Sequence, residues 1–381
     1  MTTPEHHAAA SESLRQAIRE VARGLVEREA LVELIALAAV AREHVLVIGP
    51  PGTAKSAAVR KLASGFQGRY FEYLLGRFSE PSELFGPVNL KKLRDGVVET
   101  ETAGMLPEAE IAFLDEVFLG STAILNTLLG LLNERVFVRG HSRIDCPLRV
   151  CVGAANAIPT DENLAAFADR FLVQMFVEPI PDPRLEDLLE AGWALESSPP
   201  SSQATVADLD AVSAVAKTVD LAPVRPVLAD AIRTLRNAGV TLTDRRCVKI
   251  QRLIAAACAL DGRTVADGRD LWPMVYAVPG MEGQGLTRDA LGEILKDAQN
   301  LSLAAAASEA SLGPAARADV LVRAAHDLLE TEGAPSDARA QRLRLEGWMR
   351  EIDGLFAPDT LPESLHPWRR RIAEMLEGEP G

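Results

Sequence analysis

The sequence has no basic excess: 40 Lys and Arg stand against 54 Asp and Glu, a formal charge of −14 at pH 7. Chains that hold polyanions in bulk gather Lys and Arg, so this balance disfavours nucleic-acid or acidic-membrane binding, although a local basic stripe inside a ring would escape the test. Patterned cysteine is also missing. Cys146, Cys151, Cys247 and Cys258 show neither CxxC nor zinc-type spacing, which excludes a disulfide framework and reads as reduced core thiols in a cytoplasmic chain. No apolar run approaches the about 20 residues that cross a bilayer. The longest, "ALVELIALAAVA", is interrupted by Glu33, so no membrane insertion is expected. The opening "MTTPEHHAAASESLRQ" has no apolar signal-peptide core. His6 and His7 read there as part of a flexible terminus over residues 1–12, not as metal ligands. No internal repeat is visible.

What is present is a length of 381 residues, enough for two or three domains. Ser13 and Gln16 fit a capping box, and a helical period follows through "LRQAIREVARGLVEREALVELIALAAVARE", with Gly24 dividing it into two helices. Five short apolar runs come next: "HVLVIG", "YFEYLL", "IAFLDE", "LRVCVGAAN" and "FLVQMFVEP". Helical stretches separate most of them, the signature of a parallel sheet covered on both faces. This predicts an α/β core over residues 13–183. An all-α region follows over 184–300, with "ESSPPSSQAT" as a loop near its start. A helical C-terminal extension occupies 301–381, alanine-rich at first and broken by "LFAPDTLPESLHPW" before a last short helix.

The chemistry concentrates in "VLVIGPPGTAKSAAVRKL", Val45 to Leu62. A strand ending at Ile48, a Gly/Pro turn and a helix opening near Lys55 aim backbone N–H groups at one point, and the helix dipole adds to them, which suits a phosphate. Lys55 would reach the β- and γ-phosphates of ATP, and the Ser56 hydroxyl would ligate Mg²⁺. Ala54 stands where the usual phosphate loop has its last glycine; it leaves the backbone nearly as accessible if its φ is negative. The bland alternative is a chance glycine-rich turn. A second piece, "IAFLDE", ends a buried strand in two carboxylates. Asp115 would hold Mg²⁺ through water, and Glu116 would polarise the attacking water. Asn156, after "RVCVGAA", either orients that water or caps a turn. Arg170 either completes a neighbour's site or pairs with Asp169. In "TLTDRR", Thr243 or Asp244 can cap a helix starting at Arg245, and an arginine there either folds over the nucleotide or starts a solvated helix.

Taken in order, "GPPGTAKS", "FEYLLGRFSEPSELFGP", "LPEAEIAFLDEVF", "AILNTLLGLLNER", "GAAN", "DRF" and "TDRR" make the chain resemble a MoxR-class AAA+ ATPase of the RavA type. The resemblance covers roughly residues 13–300 and is most specific between 45 and 171. RavA-type loops also carry alanine before the lysine. The resemblance implies a five-stranded αβα core, a helical lid and a homo-hexameric ring with ATP between protomers. Gly49, Pro50, Pro51, Gly52, Thr53, Ala54, Lys55, Ser56 and Ala57 then form Walker A, and Asp115 with Glu116 forms Walker B. Asn156 falls at sensor 1, Arg170 at the trans arginine finger and Arg245 at sensor 2, with Arg246 as its rival. "GLVERE" resembles the segment near the adenine. The class also carries pore-facing inserts, here about residues 79–103 and 134–146, where Phe137 and His141 by default pack the hairpin. RavA-type proteins continue beyond residue 300 with a partner-binding insertion for which 301–381 leaves little room. The class habit of pairing with a von Willebrand A-domain protein remains. The implied function is ATP-driven remodelling of a protein client. The rivals are a nucleic-acid motor, an ATP-gated scaffold with little turnover and a small-molecule kinase.

Overall fold

Seven strands are built from the short apolar runs and one hairpin: β1 Val45–Ile48, β2 Tyr70–Leu74, β3 Ile111–Asp115, β4 Val136–Arg139, β5 Ser142–Asp145, β6 Val150–Ala155 and β7 Val173–Phe176. They are seen in a computed structural model that describes residues 4–140, 142–159, 161–195, 204–311, 338–356 and 361–377, with single positions between 318 and 329. Five strands form one parallel sheet in the order β2-β3-β6-β1-β7. Every residue of β1 and β6 is buried, which is why these runs show no polar alternation: helices cover both faces. β2, at the edge, alternates between half-buried and exposed.

Because all five strands run the same way, their C-terminal ends open on one edge, where ligands of open α/β sheets bind. The register brings the key ends together: Ile48 lies opposite Ala155, and Leu114 opposite Gly153. β4 and β5 form the expected antiparallel hairpin, with Phe137 fully buried and stacked on Phe85 at 5.4 Å between ring centres. His141 lies outside the described residues.

The run "ALVELIALAAVA" is a helix, Glu29–Ala41, buried from Ala30 onward, the behaviour of a helix that is apolar all round. Helix Asp244–Leu260 packs along it, and residues 204–311 fold as helices, giving the α/β core its helical lid. The N-terminus differs from the flexible segment expected. Helix Pro4–Ala22 begins well before the Ser13 capping box, and His7 and Ser11 both bond to the Ala259 carbonyl, at 2.9 and 3.1 Å. His7 is anchored by a lid helix more than 200 residues away, a contact no local pattern encodes.

Contacts divide the chain into two units, Met1–Glu178 with Ser198–Ser311, and Pro179–Ser197 with Leu312–Gly381. Residues 179–197 thus associate with the C-terminal segment, where a linear reading put them at the end of the core and the start of the lid. The second unit has its own core of Trp348, Ile352, Leu365 and Ile372, and Trp348 Nε1 donates to the Leu321 carbonyl at 2.9 Å. Ion pairs of Arg350 with Asp182 and Arg344 with Glu186 join its two chain segments. No described helix is long and apolar enough to cross a membrane.

Glu33 is the one buried carboxylate of helix Glu29–Ala41. It accepts from the N–H groups of Ala305 and Ala306, at 3.3 and 2.7 Å, at the start of helix Ala304–Ser311. Burial pushes its pKa from the ordinary 4.5 up to about 7; the two N–H bonds oppose the rise, and Glu29 and Glu309 add to it. A raised folded-state pKa means stability that is complete below the unfolded value and lost as pH rises through the folded one. Stability is therefore expected to fall by about 3 kcal/mol between about pH 4.5 and pH 7 through this group. Urea midpoints of the parent and Glu33→Gln across that range check it: the variant should lose most of the slope.

Candidate nucleotide site

Between β1 and helix Lys55–Gly65 the chain makes one tight loop. A Cβ on Gly49 would lie 2.1 Å from the Val177 carbonyl oxygen, so only glycine allows this close approach of two backbones. Gly52 has φ +79°, and Thr53 Oγ1 donates to the Pro50 carbonyl at 2.9 Å, closing the turn. Ala54 has φ +61° and ψ +22°. The negative φ that would make alanine harmless is therefore not adopted: the position demands the left-handed region, which costs a non-glycine residue about 1 kcal/mol. Ala54→Gly is expected to raise stability by up to about 1 kcal/mol without weakening ATP binding. A thermal midpoint that falls instead would show that Ala54 is not strained.

Lys55 opens the helix and is 8% exposed. Its Nζ donates to the carbonyls of Gly49 and Pro50, at 2.7 and 2.9 Å. Burial lowers its pKa, while the charges of Asp115 and Glu116 oppose that drop. The ammonium group is thus held inside the curve of the loop by neutral acceptors, which a phosphate oxygen would outcompete because charge-assisted bonds are stronger. Arg28 is a residue that sequence reasoning missed, although it sits in "GLVERE". It is buried, with Nε donating to the Thr53 carbonyl at 3.0 Å and Nη2 to the Glu178 carbonyl at 2.6 Å. It ties the loop to the segment after β7.

Asp115 ends β3, and its Oδ1 accepts from the Glu116 N–H at 3.0 Å. Glu116 sits at φ +49°, another left-handed non-glycine residue; such strain is held only where surrounding structure imposes it, often at functional sites. Asn156, just beyond β6, donates from Nδ2 to Glu116 Oε1 at 2.7 Å. That bond commits the amide to the carboxylate rather than to a turn. The loop, the acidic pair and the amide thus meet at the C-terminal edge of the sheet.

The arginines lie elsewhere. Arg170 does not pair with Asp169; Asp169 binds Arg246 Nε at 2.6 Å. Arg246 is 1% exposed and donates to the carbonyls of Phe171, Leu172 and Ala277, at 3.1, 3.0 and 2.7 Å. It is an internal staple, leaving Arg245 as the arginine available to a ligand. Thr243 caps this helix, accepting from the Arg246 N–H at 3.3 Å. Arg245 Nη2 donates to Asn133 at 2.5 Å. Two residues on, Arg135 donates to the Arg42 carbonyl, and Arg42 precedes β1. Arg245 and Arg170, the latter just before β7, therefore sit by the N-terminal edge of the sheet. The loop between β1 and Lys55 is at the opposite edge, so in this chain neither arginine folds over it. Arg170 Nε is buried with no hydrogen-bond partner.

Comparison with known proteins bears on this geometry. A family model described as the MoxR domain in the MoxR-vWA-beta-propeller ternary systems matches residues 12–216, more than half of the chain. The chain belongs to this MoxR family. Two uncharacterized proteins of Methanocaldococcus jannaschii are each 36% identical to it over 247 residues, 65% of this chain and 66% or 64% of theirs. The chain thus spans just under two thirds of the length of these relatives. The protein named chaperone MoxR1 of Mycobacterium tuberculosis is 27% identical over 190 residues, 49% of this chain and 50% of its own. A crystal structure from Cytophaga hutchinsonii, named as a candidate ATPase, superposes with a TM-score of 0.61 at 15% identity, covering 78% of this chain and 97% of that one. That likeness gives the AAA+ fold, an α/β core with a helical lid. The match is to the MoxR domain of ternary systems and carries no RavA subdivision.

Proposed function

We propose that this MoxR-family chain is an ATPase that uses hydrolysis to remodel a protein partner. The observation that carries the reading is the meeting of Lys55, Asp115, Glu116 and Asn156 at one edge of the sheet, with Asn156 bonded to Glu116. The loop N–H groups and Lys55 bind the phosphates, Glu116 takes a proton from the attacking water, and Asn156 fixes the carboxylate that does so. Among the described residues no group of three His, Cys, Asp or Glu could hold a metal unaided. This fits Mg²⁺, which takes one or two protein oxygens and completes its shell with substrate phosphates and water. Ser56 and Asp115 would hold it, and it would neutralise charge on the phosphates.

A ring is supported by the place of Arg170 and Arg245, far from their own loop and suited to a neighbour's nucleotide. The partner best supported is a von Willebrand A-domain protein, because the matched family is described in MoxR-vWA-beta-propeller systems. A chaperone-like role agrees with the name of the mycobacterial relative. The RavA-type reading rests on Ala54 and "TDRR", and a cytoplasmic location on the cysteine pattern. Light-scattering mass with and without ATP and Mg²⁺, beside phosphate release from the same sample, tests the whole. A shift to about six protomers with rising turnover is expected. A monomer that releases no phosphate would overturn the ATPase reading.

A further inference from the structure

On the N-terminal side of the sheet, between the core and two lid helices, lies a cavity of about 750 Å³, within the range of small-molecule sites. Five cations line it in an otherwise acidic chain: Arg42, Arg135, Arg149, Lys217 and Arg252. Val40, Leu148, Leu221 and Ala255 supply an apolar wall. Three of the cations have carboxylate partners. Asp210 binds both Arg42 and Arg149, and Glu43 accepts from Arg252 at 2.9 Å. Arg135 and Lys217 have no carboxylate within ion-pair distance among the described residues.

Arg135 is the telling case. The Cys151 N–H donates to His44 Nδ1 at 3.0 Å, so the proton of the neutral ring sits on Nε2, which donates to the Leu132 carbonyl at 2.9 Å. Arg135 Nη1 lies 2.7 Å from that same Nε2, a neutral neighbour. Its Nη2 finds only carbonyls, those of Arg42 and Arg149. Burial pushes the guanidinium pKa down to about 10, with the charge of Glu43 opposing the drop and that of Arg42 adding to it. With only neutral groups in hydrogen-bond contact, and with Glu43 already bonded to Lys249 and Arg252, this half-buried cation has no counter-ion of its own, and such a charge is costly until one is supplied.

We infer that this cavity is a binding site, separate from the phosphate loop, for a small phosphate monoester carrying an apolar group. The two cations without carboxylates match the roughly two negative charges of a phosphate monoester at neutral pH, guanidinium groups suit its oxygens, and the apolar wall takes the rest of the molecule. Its walls come from both the core and the lid helices Val206–Ala216 and Asp244–Leu260, so an occupant ties the two together.

Phenyl phosphate is the probe, titrated calorimetrically into the full chain and into its Lys55→Ala, Lys217→Glu and Arg252→Ala variants. Expected are one saturable site per chain, the same affinity in Lys55→Ala, and a loss of about tenfold or more in each of the other two. Lys217 is exposed, so its variant should fold normally; a circular dichroism melt confirms that for all three. No saturation by about 10 mM in the parent overturns the inference. So does undiminished binding in both cavity variants. Loss of binding in Lys55→Ala would put the probe in the phosphate loop instead, and overturn it too.

Discussion

Lys55→Ala is expected to lower ATP affinity by about 100-fold or more. Lys55 already makes two bonds to neutral carbonyls from a nearly buried position, at 2.7 and 2.9 Å. Exchanging these for charge-assisted bonds to phosphate oxygens is worth about 1.5–3 kcal/mol each, and each 1.4 kcal/mol is about tenfold in affinity. The loop itself should survive, because Arg28, the Gly49 approach to Val177 and the Thr53–Pro50 bond do not involve the lysine. Calorimetry with ATP decides the matter. Micromolar affinity retained in the variant would mean that this loop is not where the nucleotide binds, and the fold alone would then carry the ATPase reading.

The second large effect concerns Arg170. Its replacement by alanine should leave ATP binding intact while cutting turnover by about 10³-fold, the scale of a trans-acting arginine. The side chain is well placed to be held rigidly for this. Arg246, from the lid, bonds to Asp169 on one side and to the carbonyls of Phe171 and Leu172 on the other, so the backbone carrying Arg170 is stapled at both flanks. Arg170→Ala and Glu116→Gln subunits each lack one half of a shared site. Mixed, they should regain part of the lost turnover, because some interfaces pair an intact Arg170 with an intact Glu116. If no mixing ratio restores any phosphate release, Arg170 does not act across an interface, and its buried, unpartnered Nε needs another explanation.

The fold was legible because a parallel sheet buried on both faces has little room for polar side chains. Four of its five strands are therefore short, mostly apolar and buried runs, the half-exposed edge strand β2 being the exception, and all five appear where "HVLVIG", "YFEYLL", "IAFLDE", "LRVCVGAAN" and "FLVQMFVEP" place them. The loop of "GPPGTAKS" was equally legible as a strand-to-helix turn, since small residues between an apolar run and a helical stretch mark one.

What local pattern could not decide were contacts between distant segments. The left-handed backbone of Ala54 follows from how the loop enters its helix, and alanine carries no signal of it. The choice between Arg245 and Arg246 turns on which of two neighbours faces inward, and only Asp169 with three distant carbonyls settles that Arg246 does. His7 and Ser11 extend the first helix because Ala259 is there to receive them. Residues 179–197 associate with the C-terminal unit, not with the core they follow. The sequence by itself determined the layers, the strand positions, the glycine-rich turn before Lys55 and the placing of Asp115 and Glu116 at a strand end, because these depend on residue type within a few positions. The tertiary structure alone decided the bond between Asn156 and Glu116, the edge on which each arginine lies and the cation-lined cavity. Each of these joins residues tens to hundreds of positions apart, and such pairings are selected by packing rather than by any local periodicity.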